Sequence, residues 1–305
     1  MDQKLDHHPA GNRPDSTSLA IVTPSYAPDR ELCGDLVRSV LQFSQENVHH
    51  HIVVPKQDLA LFSSLSGDRT TIHCADHFLP RSMLRVPPIN AWINVRHPYP
   101  PVRGWIAQQI IKLSLASCLR ADVVLLVDSD IVLIRPFSGS TFTPSGSASL
   151  FRVDAGIDGS LPRHRLWHQT ARRLLGLPPD DRTVLPDYIC CPCVWVPDVV
   201  RSMLTRIERE TGTDWATAVG AELHFSEMIL YGVFIEEVFG LDGIDVTADM
   251  RCLNHYEEVP LDAPALDDLL VGVRPTDVAV MISAKSRTLL ADRRRALQRF
   301  SVADR

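Results

Sequence analysis

Ala121-Asp122-Val123-Val124-Leu125-Leu126-Val127-Asp128-Ser129-Asp130-Ile131-Val132-Leu133-Ile134-Arg135-Pro136-Phe137 is the stretch that decides how this chain is read. The apolar run Val123 to Val127 predicts a strand buried on both faces, and a second run follows from Ile131 to Ile134. Two carboxylates stand between the runs. An unpaired buried carboxylate is costly, so Asp128 and Asp130 are expected where the strand ends and something cationic meets them. Residues i and i+2 of an extended segment point the same way, so both can face one hard cation while Ser129 points away.

Working outward, 305 residues give room for one large α/β domain or two small ones, and a hydrophobic fraction of 45% is that of a folded chain with a sizeable core. A net charge of −6 and a pI of about 6.0 provide no global basic field for nucleic acid. Residues 1–18 are polar, with no apolar run of a signal peptide; they are expected to be a disordered leader in which His7 and His8 are solvated. Seven cysteines, an odd count, then suit free thiols in a reducing cytoplasm. Cys190-Cys191-Pro192-Cys193 lacks the paired spacing of a zinc site, so buried thiols in a strand are expected. No segment approaches the ~20 apolar residues of a membrane span.

The fold is expected to begin at Leu19-Ala-Ile-Val-Thr23-Pro24-Ser25-Tyr26, a short strand ending in polar residues. Leu32, Leu36, Val37, Val40 and Leu41 have helical spacing, His51 to Pro55 reads as a second strand, and Thr70 to Cys74 as a third. This is a doubly wound α/β half whose ligand crevice lies beyond the strand carboxyl ends. At that rim Thr23, Ser25 and Tyr26 either contact a base or ribose or form an ordinary turn around Pro24. Neighbours on a strand face opposite ways, so His49, His50 and His51 cannot share one metal. Ala75 to Val102 contains six prolines and no sustained period, which predicts a long loop, either a lid or plain surface. Arg103 to Ala116 reads as a helix in which Trp105, Gln108 and Lys112 make one stripe. Lys112 and Arg103 either neutralise a phosphate or the acidic pair, or the lysine packs its stem and sends its amine to solvent.

In the second half, Arg163 to Leu175 reads as an amphipathic helix stopped by Gly176, and Pro197 opens another to about Thr211. His224 to Ile235 reads as a helix with Glu227 near its start, and Tyr188 to Val196 as a strand with Asp187 before it. Asp277 to Ile282 is a further expected strand, with the polar donors Ser283, Lys285 and Ser286 after it. The final helix carries Arg287, Arg293, Arg294, Arg295 and Arg299, expected to form a solvated basic face with a secondary affinity for anionic lipid.

Several motifs, taken in order, resemble a bacterial family assigned to the GT-A glycosyltransferases. They are Thr23-Pro-Ser-Tyr-Ala27, Arg103-Gly-Trp-x-x-Gln-Gln-x-x-Lys-Leu113, Leu126-Val-Asp-Ser-Asp-x-Val-x-x-Arg-Pro-Phe137 and His164-Arg-Leu-Trp167 with Leu174-Leu-Gly-Leu-Pro178. Asp187-Tyr188 before Trp195 and Phe225-Ser-Glu227 before Leu230-Tyr-Gly232 continue the likeness, which runs from about residue 19 to 290. The resemblance implies a Rossmann-like GT-A fold, α/β with a central mostly parallel sheet flanked by helices. It implies a donor half at 19–137 and an acceptor half at 138–290 of the same domain, beyond which the residues themselves read as a basic C-terminal helix at 286–305. It further implies an enzyme in which Asp128 and Asp130 hold Mn²⁺ or Mg²⁺ against the diphosphate of a UDP- or GDP-sugar, with His255 a candidate third ligand. The acceptor would be a glycan or a lipid-linked molecule, and the enzyme cytoplasmic or peripheral at the inner membrane.

Under that reading Glu227 is the first candidate to contact or deprotonate the acceptor hydroxyl and Asp187 the second. A favourable acid in a helix's first turn, with Ser226 as cap, explains Glu227 equally well. A retaining enzyme would need no such base. Two alternatives stand beside this one. Asp128-Ser-Asp130-Ile-Val132 also satisfies the haloacid-dehalogenase phosphatase pattern, but that motif normally lies near the domain start and needs later acids after a lysine, whereas Asp267-Asp268 precede Lys285. An inert sugar-nucleotide or glycan-binding module is the other, and the intact acidic pair argues against it.

Overall fold

Every residue of β1 (Leu19–Pro24) is buried, and this strand is the middle of the central sheet. The computed structural model describes residues 17–303 apart from 87, 88 and 90, so all but the end of the expected leader, including His7 and His8, lies outside the described residues. α1 (Arg30–Phe43) follows and buries Cys33, Leu36, Val37 and Val40 along one stripe. β2 (His49–Val54), α2 (Leu59–Phe62) and β3 (Thr70–Cys74) complete the first wound unit, with β2 parallel to β1 and β3 parallel to β2.

The proline-rich stretch departs from the expected loop. β4 (Met83–Arg85), β5 (Ala91–Asn94) and β6 (His97–Arg103) form a small antiparallel sheet. Pro98, Pro100 and Pro101 fall on β6, an edge strand of that sheet, where the missing N–H groups interrupt few ladder bonds.

α3 (Gly104–Cys118) then runs into β7 (Val123–Leu126), and β7 pairs with β1 on the side opposite β2. β8 (Ile131–Leu133), β9 (Ser149–Phe151) and β10 (Val153–Ile157) precede α4 (Pro162–Leu174). β11 (Leu185–Asp187) pairs with β10, and β12 (Cys193–Trp195) adds antiparallel to β7. The strand expected from Tyr188 to Val196 is therefore shorter, and Asp187 belongs to the β10–β11 ribbon. α5 (Pro197–Thr211) starts on proline and stops at Gly212 in the left-handed conformation (φ 66°), as its sequence requires. α6 (Trp215–Gly220), α7 (Glu227–Phe234), β13 (Asp245–Thr247), β14 (Cys252–His255), α8 (Ala263–Val271), β15 (Ala279–Ile282) and α9 (Leu290–Ala303) complete the order.

The central sheet runs β12-β7-β1-β2-β3 and is parallel except for β12, giving a mixed α/β fold with a mostly parallel sheet. Alternation along its strands fills two cores. Ala20, Val22, Val124 and Leu126 face α3, α5 and α7, while Leu19, Ile21, Val123, Leu125 and Val127 face α1, β8 and β15. The chain winds from β1 to β2 and β3, then crosses to β7 on the other side. The gap between the carboxyl ends of β1 and β7 is thus a topological switch point, where α/β sheets open a crevice.

Candidate active site

The acidic pair lies at that switch point. Ser129 turns inward, its hydroxyl donating to Ser25 Oγ at 2.9 Å. The pair does not lie on an extended segment as the sequence predicts: the Ile131 N–H bonds the Asp128 carbonyl at 3.3 Å, so Asp128 to Ile131 is a turn just past the end of β7. Asp130 Oδ2 accepts the Ala284 N–H at 2.8 Å, and the Asp130 carbonyl accepts from the Arg293 guanidinium at 2.8 Å. The β14–β15–β8 sheet brings these groups in, because it ends β15 against Asp130 and sets Ser283 N–H on the His255 carbonyl at 2.9 Å.

Asp29, just before α1, is a third carboxylate there. Burial first, then the charges of Asp130 and Asp128, push its pKa up to about 6, with Arg293 opposing. Burial and Asp128 likewise raise Asp130, against the Ala284 N–H and Arg293. Arg293, and Lys112 at Asp128, offset this crowding only in part. Arg293 is only 4% exposed, where the run of arginines predicted a solvated face. The readable signal is its register: three residues after Leu290 and four before Leu297, it lies on the apolar stripe of α9. Arg294 pairs with Asp35 and Glu31, Arg299 with Asp267, and Arg295 with Asp292, so that face is largely neutralised.

Lys112 finds its anions inside the protein. Its Nζ lies 3.2 Å from Glu227 Oε1 and 3.4 Å from Asp128 Oδ1, with the Lys112 and Glu227 side chains 8% and 6% exposed and Asp128 48% exposed. Burial alone would lower the lysine pKa, but Asp128 and Glu227, with Cys191, outweigh it and hold the ammonium charged. Ser226 caps α7 by accepting the Ile229 N–H at 3.4 Å. Gln109 Oε1 accepts the Glu227 N–H at 2.8 Å and its Nε2 donates to the Phe225 carbonyl at 3.3 Å. The sequence stripe picked Gln108, which is half-buried; Gln109 is the residue that fixes the start of α7. Both glutamines flank the line from Trp105 to Lys112, so only the position of α7 separates them.

Trp105 belongs to an aromatic group. Its ring lies 5.4 Å from Trp167, His164 stacks on Trp167 at 4.5 Å, and the Arg163 guanidinium covers both indoles at 4.9 and 5.2 Å. Trp167 Nε1 and His164 Nδ1 are buried with no hydrogen-bond partner. Burial raises the Asp187 pKa, with the Ile189 N–H and His164 opposing, which puts Asp187 beside this group.

Other expected contacts move. Thr23 is fully buried with its hydroxyl 2.9 Å from His50 Nε2, and Ser25 is buried against Ser129, so both sit inside the fold behind the rim. Tyr26 remains 51% exposed at the mouth. Arg103 is exposed just before α3. Lys285 is exposed beside Glu258, and Ser286 is buried, so of the group after β15 it is the Ala284 amide that meets the acidic pair. His255 keeps a buried Nε2 with no partner. Among the described residues no three His, Cys, Asp or Glu side chains converge as a closed metal cage, so Asp128, Asp130 and His255 do not form one. All seven cysteines are free thiols, and only Cys118 is exposed. No helix of the described residues is long and apolar enough to cross a membrane.

Comparison with curated proteins returns no match. Among solved structures, the chain is similar to the bifunctional glycosyltransferase WbbM in its apo form, with a TM-score of 0.45 and 12% identity over 90% of this chain and 47% of that one. It therefore spans about half the length of WbbM. It is also similar to an active-site mutant of LgtC (TM-score 0.42, 14% identity, 93% and 95% of the two chains) and to the galactosyltransferase LgtC in complex with donor and acceptor sugar analogues (0.42, 12%, 93% and 95%). Residues 17–258 match the model of a family of unknown function, DUF6492, and the chain belongs to that family.

Proposed function

We propose that the protein is a metal-dependent glycosyltransferase of the GT-A kind, moving a sugar from a nucleoside-diphosphate donor to an acceptor hydroxyl. The observation that carries this reading is the position of Asp128 and Asp130 just past the carboxyl end of β7, at the switch point, with Asp29 as a third carboxylate beside them. Two carboxylates suit Mg²⁺ or Mn²⁺, which keep several sites for water and substrate phosphate and need no all-protein cage. Asp128 and Asp130 would hold the ion, and His255 does not join them in a three-ligand group among the described residues. Bound there, the cation supplies Lewis-acid stabilisation to a departing diphosphate.

The chain's own residues divide the remaining work. Lys112 provides a fixed positive charge that Glu227 orients, and this gives Glu227 a positioning role in place of the acceptor base first expected from sequence. Tyr26 offers an exposed ring for a nucleobase. Asp187 and the Trp105–Trp167 group supply a carboxyl and aromatic faces for the acceptor. The test is release of nucleoside diphosphate from a panel of UDP- and GDP-sugars with Mn²⁺ or Mg²⁺. Turnover that disappears in Asp128→Ala and Asp130→Ala supports the assignment. Hydrolysis of phosphomonoesters in its place indicates a phosphatase, and donor binding without turnover a binding module.

A further inference from the structure

From His77 to Ala121 the chain contains Arg81, Arg85, Arg96, Arg103, Lys112 and Arg120 and no Asp or Glu, although the whole protein carries a net charge of −6. Most of this acid-free stretch is the small sheet β4–β6 and its approach to α3. Cross-strand partners share a face, which sorts its residues. Met83 opposes Asn94, and Trp92 opposes Val102. Met83, Asn94 and Val102 are buried, and Asn94 reaches Thr217 at the start of α6. That is the inner face.

The outer face has no partner among the described residues. Leu84 opposes Ile93 there; Leu84 is 55% exposed and Val95, two residues beyond Ile93, is 60% exposed. Tyr99, where the register of β6 shifts, is 86% exposed. The Val95 N–H bonds the Ser82 carbonyl, so Arg81 and Arg96 are brought to the same end of the sheet, and both are exposed. Neither has an ion pair with a described residue, unlike Arg294, Arg295 and Arg299 on α9. Exposed aliphatic side chains with two arginines at one end of the sheet, an exposed tyrosine, and no acid from His77 to Ala121 fit one kind of surface. The apolar groups match the acyl boundary and the guanidinium groups match lipid phosphates. A nucleic acid would call for stacking or base-edge groups in place of Leu84, Ile93 and Val95.

We propose that the outer face of the β4–β6 sheet seats the protein on an anionic lipid surface. The inference stands apart from the sugar-transfer reading, and its test does not use activity. The full chain is sedimented with vesicles of phosphatidylcholine alone or with about one third phosphatidylglycerol. Binding is expected only to the anionic vesicles, and is expected to be lost in roughly 1 M salt, where the Debye length falls to about 3 Å. Arg81→Ser and Arg96→Ser should each weaken it about fivefold. Leu84→Asp with Val95→Asp should weaken it more than tenfold, with thermal unfolding run on each variant to show that the fold is kept. No association with anionic vesicles, equal association with neutral ones, or undiminished binding by the arginine variants would each overturn the proposal. So would light scattering that finds a dimer in the parent protein and a monomer in the aspartate variant, since a second copy would then own the face.

Discussion

Lys112 Nζ lies 3.2 Å from Glu227 Oε1 with both side chains almost wholly buried, so α3 and α7 are tied by an ion pair that water hardly reaches. Lys112→Met would leave Glu227 buried without its counter-charge and should destabilise the protein by about 3–5 kcal/mol. Lys112→Met combined with Glu227→Leu should recover much of that loss, because two matched apolar side chains need no compensation. Urea unfolding of the parent, single and double variants gives the comparison; a single variant as stable as the parent would show that the pair holds nothing.

Gln109 and Gln108 are neighbours with different work. Gln109→Leu removes the acceptor of the Glu227 N–H and the donor to the Phe225 carbonyl, and should cost about 1–3 kcal/mol. Gln108→Leu should stay within about 0.5 kcal/mol of the parent. Unfolding midpoints of the two variants should therefore differ clearly, and equal midpoints would contradict the assignment of Gln109.

Asp130 is held against its own kind. Asp130→Asn keeps an oxygen for the Ala284 N–H while removing a charge that Asp128 and Asp29 repel, so the folded state should be no less stable. The same variant should lose metal-supported binding of a nucleotide sugar in calorimetry. A stable variant that still binds donor with Mn²⁺ would break the link between the pair and the cation.

The buried histidines set an acid limit. Burial, then His51 and His49, lower His50 to about 3, and burial, then His49 and His73, lower His51 to about 4, against an ordinary 6.5. Between those values the unfolded chain binds more protons than the folded one, so stability rises with pH. It is complete above about pH 6.5 and falls progressively toward pH 4, with the raised carboxyl of Asp29 acting in the opposite direction. Thermal unfolding across that range should show the decline, and His51→Gln should flatten it.

Gly232 faces the ring of Tyr188 so closely that a methyl group there would overlap it. Gly232→Ala should therefore push α7 off Tyr188 and cost about 1–3 kcal/mol. A melting temperature equal to the parent's would show that the helix shifts freely.

Much of the frame was legible because apolar periodicity and chain punctuation are local. Val123 to Val127 and Leu19 to Val22 could only be strands covered on both faces, and Pro197 with Gly212 bounded α5. The acidic pair and the need of Lys112 for an anion were also readable, since charges among apolar residues demand partners. The β4–β6 sheet was hidden because its prolines lie where a strand edge tolerates them, and sequence does not say which strand will be an edge.

The identity of each partner was a different matter. That Lys112 takes Glu227, that Gln109 holds the start of α7, that Arg293 backs Asp130 and that Thr23 turns inward to His50 all join segments far apart in the chain. Sequence determined which apolar runs are buried and which charges among them require an answer, because burial of apolar residues follows from period and desolvation from charge. Only the tertiary structure decided which group answers, because that depends on how helices and strands pack across the sheet, and no local pattern encodes the distance.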